Sequence, residues 1–488
     1  MTSGRARGIL VLFIGGVAIA TVMAIRTPRP SERPNVILIT VDTLRADRLS
    51  AYGYAKSQTP NMDRLAREGV LFENAFCDVT WTTSSMASVM TGRYATRHGL
   101  RSSYQRLAPE TTTLAKVLRT AGLQTAAIVG SYPLDSVFGL DQGFDLYDDA
   151  FTTPTMEPRK PEATKLPDPG PGSRIEMRVL LREKAAHDAY RTDREVSDRA
   201  IRWLRAERRE PFFLWVHYFG PHEKRHGADN YFEEVALQLK EYDADVTTAD
   251  VQVGRVLDAL DDLGLARRTA VILHADHGQS LAEHNFVGHG RYIYDVIQQV
   301  PLLIRLPGRL PAGRRVSQLV RNIDLLPTAL ALTGVALPTP VDGGSLLPLV
   351  DGSWADGTVE TYVETYQSAE TTSADVIDAQ HDIRLGFRRL GIRTLEWKFI
   401  VNDPIPFENV DDPPPITEEM RRRYYSAELY DLRADPGETT NVITAHPDLA
   451  ASFFKKVWAY QSVDSSSEPI RLDDTMREKL KSLGYLAD

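Results

Sequence analysis

The chain has 488 residues, of which 42% are hydrophobic and 25% are charged, and its formal net charge is −9. This is ordinary globular composition, and the length is sufficient for one large domain and a smaller one. The acidic balance argues against nucleic acid as the main partner. Because Cys77 is the single cysteine, no intrachain disulfide can form, and cysteine pairing does not reveal the redox compartment.

The N-terminal segment is an apolar run that stands apart from the rest of the chain. Gly8 to Ile25 contains no charged residue, and Arg5 and Arg7 precede it. Its length is at the lower limit for a membrane-spanning helix, and the leading arginines predict a cytoplasmic N-terminus. We therefore predict a single-pass signal anchor and linker over residues 1–33, with the remainder of the chain on the extracytoplasmic side. A signal peptide cleaved near Ala24 is the alternative.

Apolar, β-branched runs alternate with helical stretches over the next part of the chain. The predicted strands are Val36–Val41, Gln124–Val129, Phe212–Tyr218, Ala270–His274 and Pro301–Leu306. The predicted helices are Asn61–Glu68, Thr113–Ala121 and a stretch from a capping box at Thr192 to about Arg205. This order predicts an α/β fold with a large, mostly parallel sheet sandwiched by helices. The proline-rich residues 151–172 are predicted to form a surface loop.

A change in composition near residues 337–356 indicates a boundary. We assign residues 34–345 to one large domain and residues 346–488 to a C-terminal subdomain with a helical tail. The subdomain is predicted to contain antiparallel strands at Glu360–Thr365, Ile383–Leu390 and Trp397–Val401. Helices are predicted at Pro447–Gln461 and Asp473–Leu483.

Two of the predicted strands end in potential metal ligands. Asp42 follows the first strand, and Asp276 and His277 follow the strand that ends at His274. In open α/β sheets, ligand sites lie at the carboxyl ends of the strands. Between these segments, residues 82–85 place four hydroxyl groups at the start of a predicted helix, where free N–H groups and the helix dipole favour a bound phosphate or sulfate.

Several segments, in family order, resemble the sulfatase branch of the alkaline phosphatase superfamily. They include NVILITVDTLRADRL, TPNMDRLAREGVLFENAF, MTGRYATRHGL, FFLWVHYFGPH, HADHGQSLAEHNFVGHG and ELYDLRADPGETTNV, and the match runs from about Pro34 to Leu486. The resemblance implies an alkaline phosphatase-like α/β fold with a small C-terminal α+β subdomain. It also implies a metal-dependent enzyme that acts on phospho- or sulfo-esters.

The resemblance places the nucleophile at Thr82, counted back from the Thr-Gly-Arg segment that ends at Arg93. Sulfatases have a cysteine or serine there, within C-x-P-x-R, which is converted to formylglycine. Here Ser84 stands at the proline position and Met86 at the arginine position. Thr82 instead resembles the threonine nucleophile of the superfamily's phosphodiesterases and transferases. A role for Thr82 as a helix N-cap alone is the alternative.

The resemblance also implies a metal site formed by Asp42, Thr82, Asp276 and His277. Sulfatases commonly have two adjacent aspartates after the first strand, whereas here Thr43 follows Asp42. An imidazole ligand favours one divalent ion of zinc or manganese over calcium.

His222 and His289 occupy positions that line the family's site. We predict that they are catalytic groups that donate to the oxyanion or protonate the leaving oxygen, and His284 is a further candidate. The alternative is that these histidines have no chemical role. The Gly-Lys-Trp-His segment that clamps a sulfate in many sulfatases is replaced here by Gly130–Leu134, which contains neither lysine nor histidine.

The sequence therefore predicts a metal-dependent hydrolase or transferase that acts on phosphodiesters through Thr82, with lipid headgroups, cell-envelope glycans and small diesters all open as substrates. One alternative is a sulfuric ester hydrolase with an unmodified hydroxyl nucleophile. The other is a non-catalytic binding protein on the same fold. The natural substrate, the choice between hydrolysis and transfer, and the oligomeric state stay open.

Overall fold

The computed structural model describes residues 33–102, 105–151, 189–222, 231–354, 359–366, 376–378, 383–406, 417–461, 467–470 and 473–482. The predicted anchor at residues 8–25 and almost all of the predicted loop at residues 151–172 lie outside these ranges. Within them, no helix combines the length and the apolar character that crossing a membrane requires.

The strands of the described residues are numbered in chain order. They are β1 Asn35–Val41, β2 Val70–Phe76, β3 Gln105–Leu107, β4 Gln124–Ile128, β5 Leu146–Asp148, β6 Phe212–Tyr218, β7 Thr269–His274, β8 Ser280–Leu281, β9 Val287–Gly288, β10 Gln299–Arg305, β11 Arg314–Arg321, β12 Thr361–Tyr366, β13 Val376–Asp378, β14 Ile383–Arg393, β15 Trp397–Pro406, β16 Ser426–Asp431 and β17 Ser467–Pro469.

The α-helices of the same residues are α1 Pro60–Glu68, α2 Thr82–Thr91, α3 Ala95–His98, α4 Leu114–Thr120, α5 Asp193–Ala206, α6 Tyr231–Asp262, α7 Asp295–Gln298, α8 Leu325–Thr333, α9 Leu347–Asp351, α10 Glu418–Tyr424, α11 Pro447–Gln461 and α12 Asp474–Ser482. Thr192 caps α5 as predicted, since its hydroxyl accepts a hydrogen bond from the Glu195 amide at 3.2 Å. The Glu195 carboxylate accepts from Arg199.

Within the described residues, eight strands form a mixed sheet in the order β11-β2-β10-β7-β1-β6-β4-β5. Strand β10 runs antiparallel to both of its neighbours, and the other neighbouring pairs are parallel. The predicted α/β fold with a mostly parallel sheet is therefore confirmed, and the strand predicted at Pro301–Leu306 is the antiparallel one.

The central strands are buried along their whole length. Strands β1, β6 and β7 have no exposed residue, which is why their sequences are nearly continuous apolar runs rather than alternating ones. The register pairs Thr40 of β1 with His217 on one side and His274 on the other. The carboxyl ends of these three strands therefore meet at one edge of the sheet.

A second, antiparallel sheet follows, with the order β12-β14-β15-β16 and with β13 paired to β14. Tyr362, Leu390 and Phe399 belong to its own buried core, to which helix α11 contributes Phe453. The predicted antiparallel strands and both predicted C-terminal helices are present. The division at residues 345 and 346 stays a prediction.

Candidate active site and metal centre

The two predicted carboxylates lie together at the carboxyl edge of the main sheet. Asp42 follows β1 directly, and Asp276 lies two residues beyond the end of β7. The Asp276 carboxylate accepts hydrogen bonds from the amides of His277 at 2.9 Å and Thr43 at 3.2 Å. Thr43 has a φ of 54°, an uncommon conformation for a β-branched residue. Tyr242 of α6 holds this turn by donating to the Thr43 carbonyl oxygen at 2.8 Å.

Thr82 is the first residue of helix α2, and Trp81 is the N-cap, so an N-cap role for Thr82 is wrong. The Thr82 hydroxyl donates to Asp42 Oδ2 at 3.4 Å and lies 3.2 Å from His277 Nε2. The neighbouring hydroxyls point elsewhere: Thr83 donates to the Pro133 carbonyl oxygen and Ser85 to that of Asp276. Thr82 is thus the hydroxyl that the fold directs at the carboxylates.

His277 presents one ring nitrogen to the site. Its Nδ1 lies 2.9 Å from the Gly278 carbonyl oxygen, which can only accept, so Nδ1 carries the proton. The lone pair of Nε2 then faces Thr82 and lies 3.4 Å from Asp276 Oδ2. A backbone acceptor that orients an imidazole in this way is typical of metal-binding histidines.

His217, on β6, was not among the residues predicted from the sequence. Its Nε2 lies 3.5 Å from Asp42 Oδ2, and Asp42, His217 and Asp276 each offer a ligand atom within 4.8 Å of the others. The Gly130 amide donates to His217 Nδ1 over a long 3.4 Å, which favours a proton on Nε2. The available signal was a lone histidine near the carboxyl end of an otherwise apolar strand.

The predicted histidines His222 and His289 form a pair beside His277. Their Nε2 atoms are 3.0 Å apart, and the His289 ring stacks on His277 with centroids 4.4 Å apart. His289 Nδ1 faces the Thr80 carbonyl oxygen at 3.1 Å and so carries a proton. His289 Nε2 is then an acceptor, and His222 Nε2 is the donor between them.

Asp193, at the start of α5, stabilises the turn that carries His222. Its carboxylate accepts from the amides of Phe219 at 2.9 Å and Gly220 at 3.0 Å. A side chain at Gly220 would meet this carboxylate at 2.2 Å, so the turn requires glycine there. His284 is not part of this pair. Its ring stacks on the ring of Tyr294, with the two centroids 3.7 Å apart.

Across the described ranges, the two buried carboxylates lack a positive charge beside them, which one divalent cation would supply. Burial, and then the charge of Asp276, raise the pKa of Asp42, and burial raises the pKa of Asp276 to about 6. Burial also lowers the pKa values of His217 and His277 to about 4. Asp42 Oδ1, Asp276 Oδ2 and His217 Nε2 are buried and have no hydrogen-bond partner among the described residues. The unsatisfied carboxylate oxygens fit a metal ion, and His217 Nε2 would fit one in the tautomer that carries its proton on Nδ1.

Met86, at the position where sulfatases have an arginine, carries no charge. Met86 is fully buried, and its sulfur lies 4.0 Å from the Thr40 hydroxyl. Thr40 accepts from the Trp215 indole at 3.0 Å and contacts His274 Nε2 at 2.9 Å. Burial lowers the pKa of His274 to about 4, so this imidazole adds no charge near neutral pH.

A profile of the family described as "Sulfatase" matches residues 34–335, more than half of the chain. The chain belongs to the sulfatase family. A profile described as "N-sulphoglucosamine sulphohydrolase, C-terminal" matches residues 282–408 of this sulfatase-family chain.

Curated relatives of this sulfatase-family chain are similar over most of its length. It is 25% identical to N-acetylglucosamine-6-O-sulfatase of Bacteroides thetaiotaomicron, over 84% of this chain and 83% of the relative. It is 28% identical to steryl-sulfatase of Mus musculus, over 70% of each chain. It shares its fold with the phosphonate monoester hydrolase of Agrobacterium radiobacter, with a TM-score of 0.62, 20% identity, and coverage of 90% of this chain and 100% of that one.

These matches identify a sulfatase-like hydrolase that acts on ester bonds, within a metal-dependent family of the alkaline phosphatase-like superfamily. Asp42 and Asp276 belong to both possible ligand sets, the predicted one with Thr82 and His277 and the geometric one with His217. The two sets differ in the histidine, and only the predicted set includes Thr82.

Proposed function

We propose that this protein is a membrane-anchored, metal-dependent phosphodiesterase or transferase of the sulfatase family, with Thr82 as its nucleophile. The observation that carries the proposal is the Thr82 hydroxyl, 3.4 Å from Asp42 Oδ2 and 3.2 Å from His277 Nε2 at the start of a helix. Asp42, Thr82, Asp276 and His277 would hold one divalent ion, for which zinc or manganese suits the mixed oxygen and nitrogen donors. When bound, this ion lowers the pKa of the Thr82 hydroxyl.

The reaction follows from the positions of the side chains. Thr82 Oγ1 forms a bond to phosphorus, its proton passes to Asp42 Oδ2, and the bond from phosphorus to the leaving oxygen breaks. The leaving oxygen takes the proton of His222 Nε2, which His289 otherwise accepts. The amides at the start of α2 would stabilise the negative oxygens of the phosphoryl group. Water or an acceptor hydroxyl then forms a bond to phosphorus and gives its proton to His222 Nε2, while the bond from phosphorus to Thr82 Oγ1 breaks and Oγ1 takes back the proton held by Asp42.

The preference for a diester is based on charge. A sulfate or phosphate monoester is best held by cations, and here Met86 and its hydrogen-bonded neighbours are neutral. Arg45, the arginine that follows the Asp42 turn, is directed to Asp47 at 2.7 Å and Glu283 at 2.8 Å. A phosphodiester carries one negative charge, which is less than a phosphate monoester dianion, and it has two terminal oxygens where a sulfate ester has three, so it demands fewer cationic donors from the protein.

Parallel rates on an aryl phosphodiester and an aryl sulfate test the proposal, with zinc or manganese supplied and Thr82→Ala as the control for contaminating activity. We expect the diester to be turned over faster, and we expect intact-mass analysis of a quenched reaction to find a phosphoryl group on Thr82. A clear preference for the aryl sulfate would overturn this function.

Sulfate ester hydrolysis is the second candidate because the curated relatives include an N-acetylglucosamine-6-O-sulfatase and a steryl-sulfatase. It would use Thr82 without conversion to formylglycine. Sulfate trapped on Thr82 in the same mass measurement would support it.

A further inference from the structure

An exposed basic pocket lies at the edge of the main sheet where the parallel strands begin. Its cavity has a volume of about 410 Å³, and its lining includes Arg33, Arg267, Arg268 and Arg309 together with Glu210. Arg33 precedes β1, Arg267 and Arg268 precede β7, and Arg309 follows the antiparallel β10. The four arginines thus come from three separate segments that the sheet topology brings together.

The charges of this pocket are not balanced by the protein. Glu210 pairs with Arg268 at 2.9 Å. Over the part of the chain that the structure describes, Arg33, Arg267 and Arg309 make no ion pair, and the Arg33 guanidinium donates to the Ala121 carbonyl oxygen. Four guanidinium groups against one carboxylate leave three positive charges, on a chain whose net charge is −9. Arginine forks match the oxygens of a phosphate group.

The pocket is remote from the candidate active site. It adjoins the first residues of β1, whereas Asp42 follows the last residue of the same strand. Seven residues of extended strand span about 23 Å at roughly 3.3 Å per residue. A ligand in the pocket therefore cannot reach Thr82, and the pocket needs a separate role.

The chain links this pocket closely to the predicted membrane segment. Arg33 lines the pocket, and the apolar run ends at Ile25, so residues 26–32 are the tether. Fully extended, such a tether reaches about 25 Å. If residues 8–25 span a bilayer, this tether keeps the pocket within about 25 Å of the bilayer surface.

We propose that the arginine pocket binds the phosphate group of an anionic phospholipid in the bilayer that residues 8–25 cross. This inference rests on the proposed membrane anchor. Headgroup binding would fix the orientation of the catalytic domain, with Asp42 at the opposite end of β1 from the bound headgroup.

The test uses the full chain reconstituted into vesicles of phosphatidylcholine, with and without phosphatidylglycerol. Flotation shows insertion, and amide hydrogen exchange of residues 263–270 and 305–313 reports contact at the pocket. We expect exchange to slow about fivefold or more with phosphatidylglycerol, since each arginine at an anionic surface contributes on this order. High salt should remove the difference.

The double variant Arg267→Gln/Arg309→Gln should lose this protection. The matched control Arg194→Gln/Arg422→Gln removes the same charge from exposed arginines elsewhere and should keep it. Both variants should hydrolyse the aryl diester at the parent rate, which separates this proposal from the proposed function.

Three results would overturn the proposal. One is equal exchange in both kinds of vesicle, and another is equal protection by inorganic phosphate added to phosphatidylcholine vesicles, which would indicate a site for free phosphate. The third is a chain that floats with neither vesicle, which would remove the membrane surface from the argument.

Discussion

Two pairs of carboxylates in this protein are largely removed from water. The first pair, Asp42 and Asp276, lies at the sheet edge, and the second pair, Asp295 and Glu438, lies between the two sheets. The second pair has its own cations: Lys398 Nζ is 2.9 Å from Asp295 and 3.8 Å from Glu438, and Arg393 is 2.9 Å from Asp295. The first pair has none within the described chain, since its ion-pair partners there are His217 and His277, which burial keeps neutral.

The pKa values follow this difference. Burial alone would raise the pKa of Asp295, but the charges of Arg393 and Lys398 outweigh it and lower the pKa. No such compensation acts on Asp42, and its pKa is raised. A buried charge without a partner is costly, so the first pair is suited to a cation from outside, while in the second pair Asp295 is already compensated by Arg393 and Lys398. The first pair should therefore control activity, and the second stability.

The largest expected effect is on rate. Thr82→Ala removes the hydroxyl that faces the incomplete pair, so we expect turnover to fall on the order of 10³-fold or more. Thr82→Ser should retain part of the activity because a hydroxyl remains. Thr83→Ala removes only the bond to the Pro133 carbonyl oxygen and serves as the control. Normal turnover by Thr82→Ala would exclude the proposed nucleophile.

The next effect is on stability. Lys398→Met leaves Asp295 and Glu438 with one cation fewer, so the free energy of unfolding should fall by about 3 to 5 kcal/mol. Denaturant unfolding measures this loss. The control Lys455→Met, at an exposed position on α11, should change stability by less than about 0.5 kcal/mol. A loss no larger than that of the control would show that the second pair does not need its lysine.

Metal binding should stabilise through the first pair alone. Zinc or manganese at about 100 times its dissociation constant should raise the free energy of unfolding of the chelator-treated protein by about 2.7 kcal/mol. Asp42→Asn should abolish this gain, and Asp295→Asn should keep it. The measurement is the thermal midpoint with and without metal, and a gain that survives Asp42→Asn would place the metal elsewhere.

Metal affinity can show which of the two histidines beside Asp42 and Asp276 is a metal ligand. His277 directs a lone pair into the site, whereas the Gly130 amide favours a proton on the facing nitrogen of His217. His277→Gln should therefore weaken metal binding by about tenfold or more, and His217→Gln by clearly less. Equilibrium titration of the metal distinguishes them, and the reverse order would favour Asp42, His217 and Asp276 as the ligand set.

The smallest expected effect is a pH dependence of the free energy of unfolding that comes from Glu438 in the second pair. Burial raises the pKa of Glu438 to about 8, against the attraction of Lys398. Between the unfolded and folded pKa values the folded state holds a proton that the unfolded state has lost, so stability falls as the pH rises through this window. Glu438→Gln should remove a decline of at least about 1 kcal/mol between pH 5 and pH 8. If the free energy of unfolding changes equally from pH 5 to pH 8 in the parent protein and in Glu438→Gln, the raised pKa of Glu438 is contradicted.

Much of the fold was predictable because its signals are local. Continuous apolar runs identified β1, β6 and β7, and the hydroxyl pattern at Thr192 located the start of α5. The direction of β10 was not predictable, since an apolar run looks the same whether it pairs in parallel or antiparallel. Residues 8–25 lie outside the described structure, so the membrane anchor stays a prediction.

The sequence by itself determined where the candidate site residues lie along the chain: Asp42, Asp276 and His277 each follow an apolar run, and Thr82 opens a helix. Only the tertiary structure decided how they are combined. The pairing of Thr40 with His217 brings a histidine from a distant strand to Asp42, and the Gly278 carbonyl oxygen selects the tautomer of His277. Charge compensation is likewise tertiary, because Lys398 and Arg393 reach Asp295 from about 100 residues away. A carboxylate's pKa depends on its burial and on the charges around it, and neither is visible until the chain is folded.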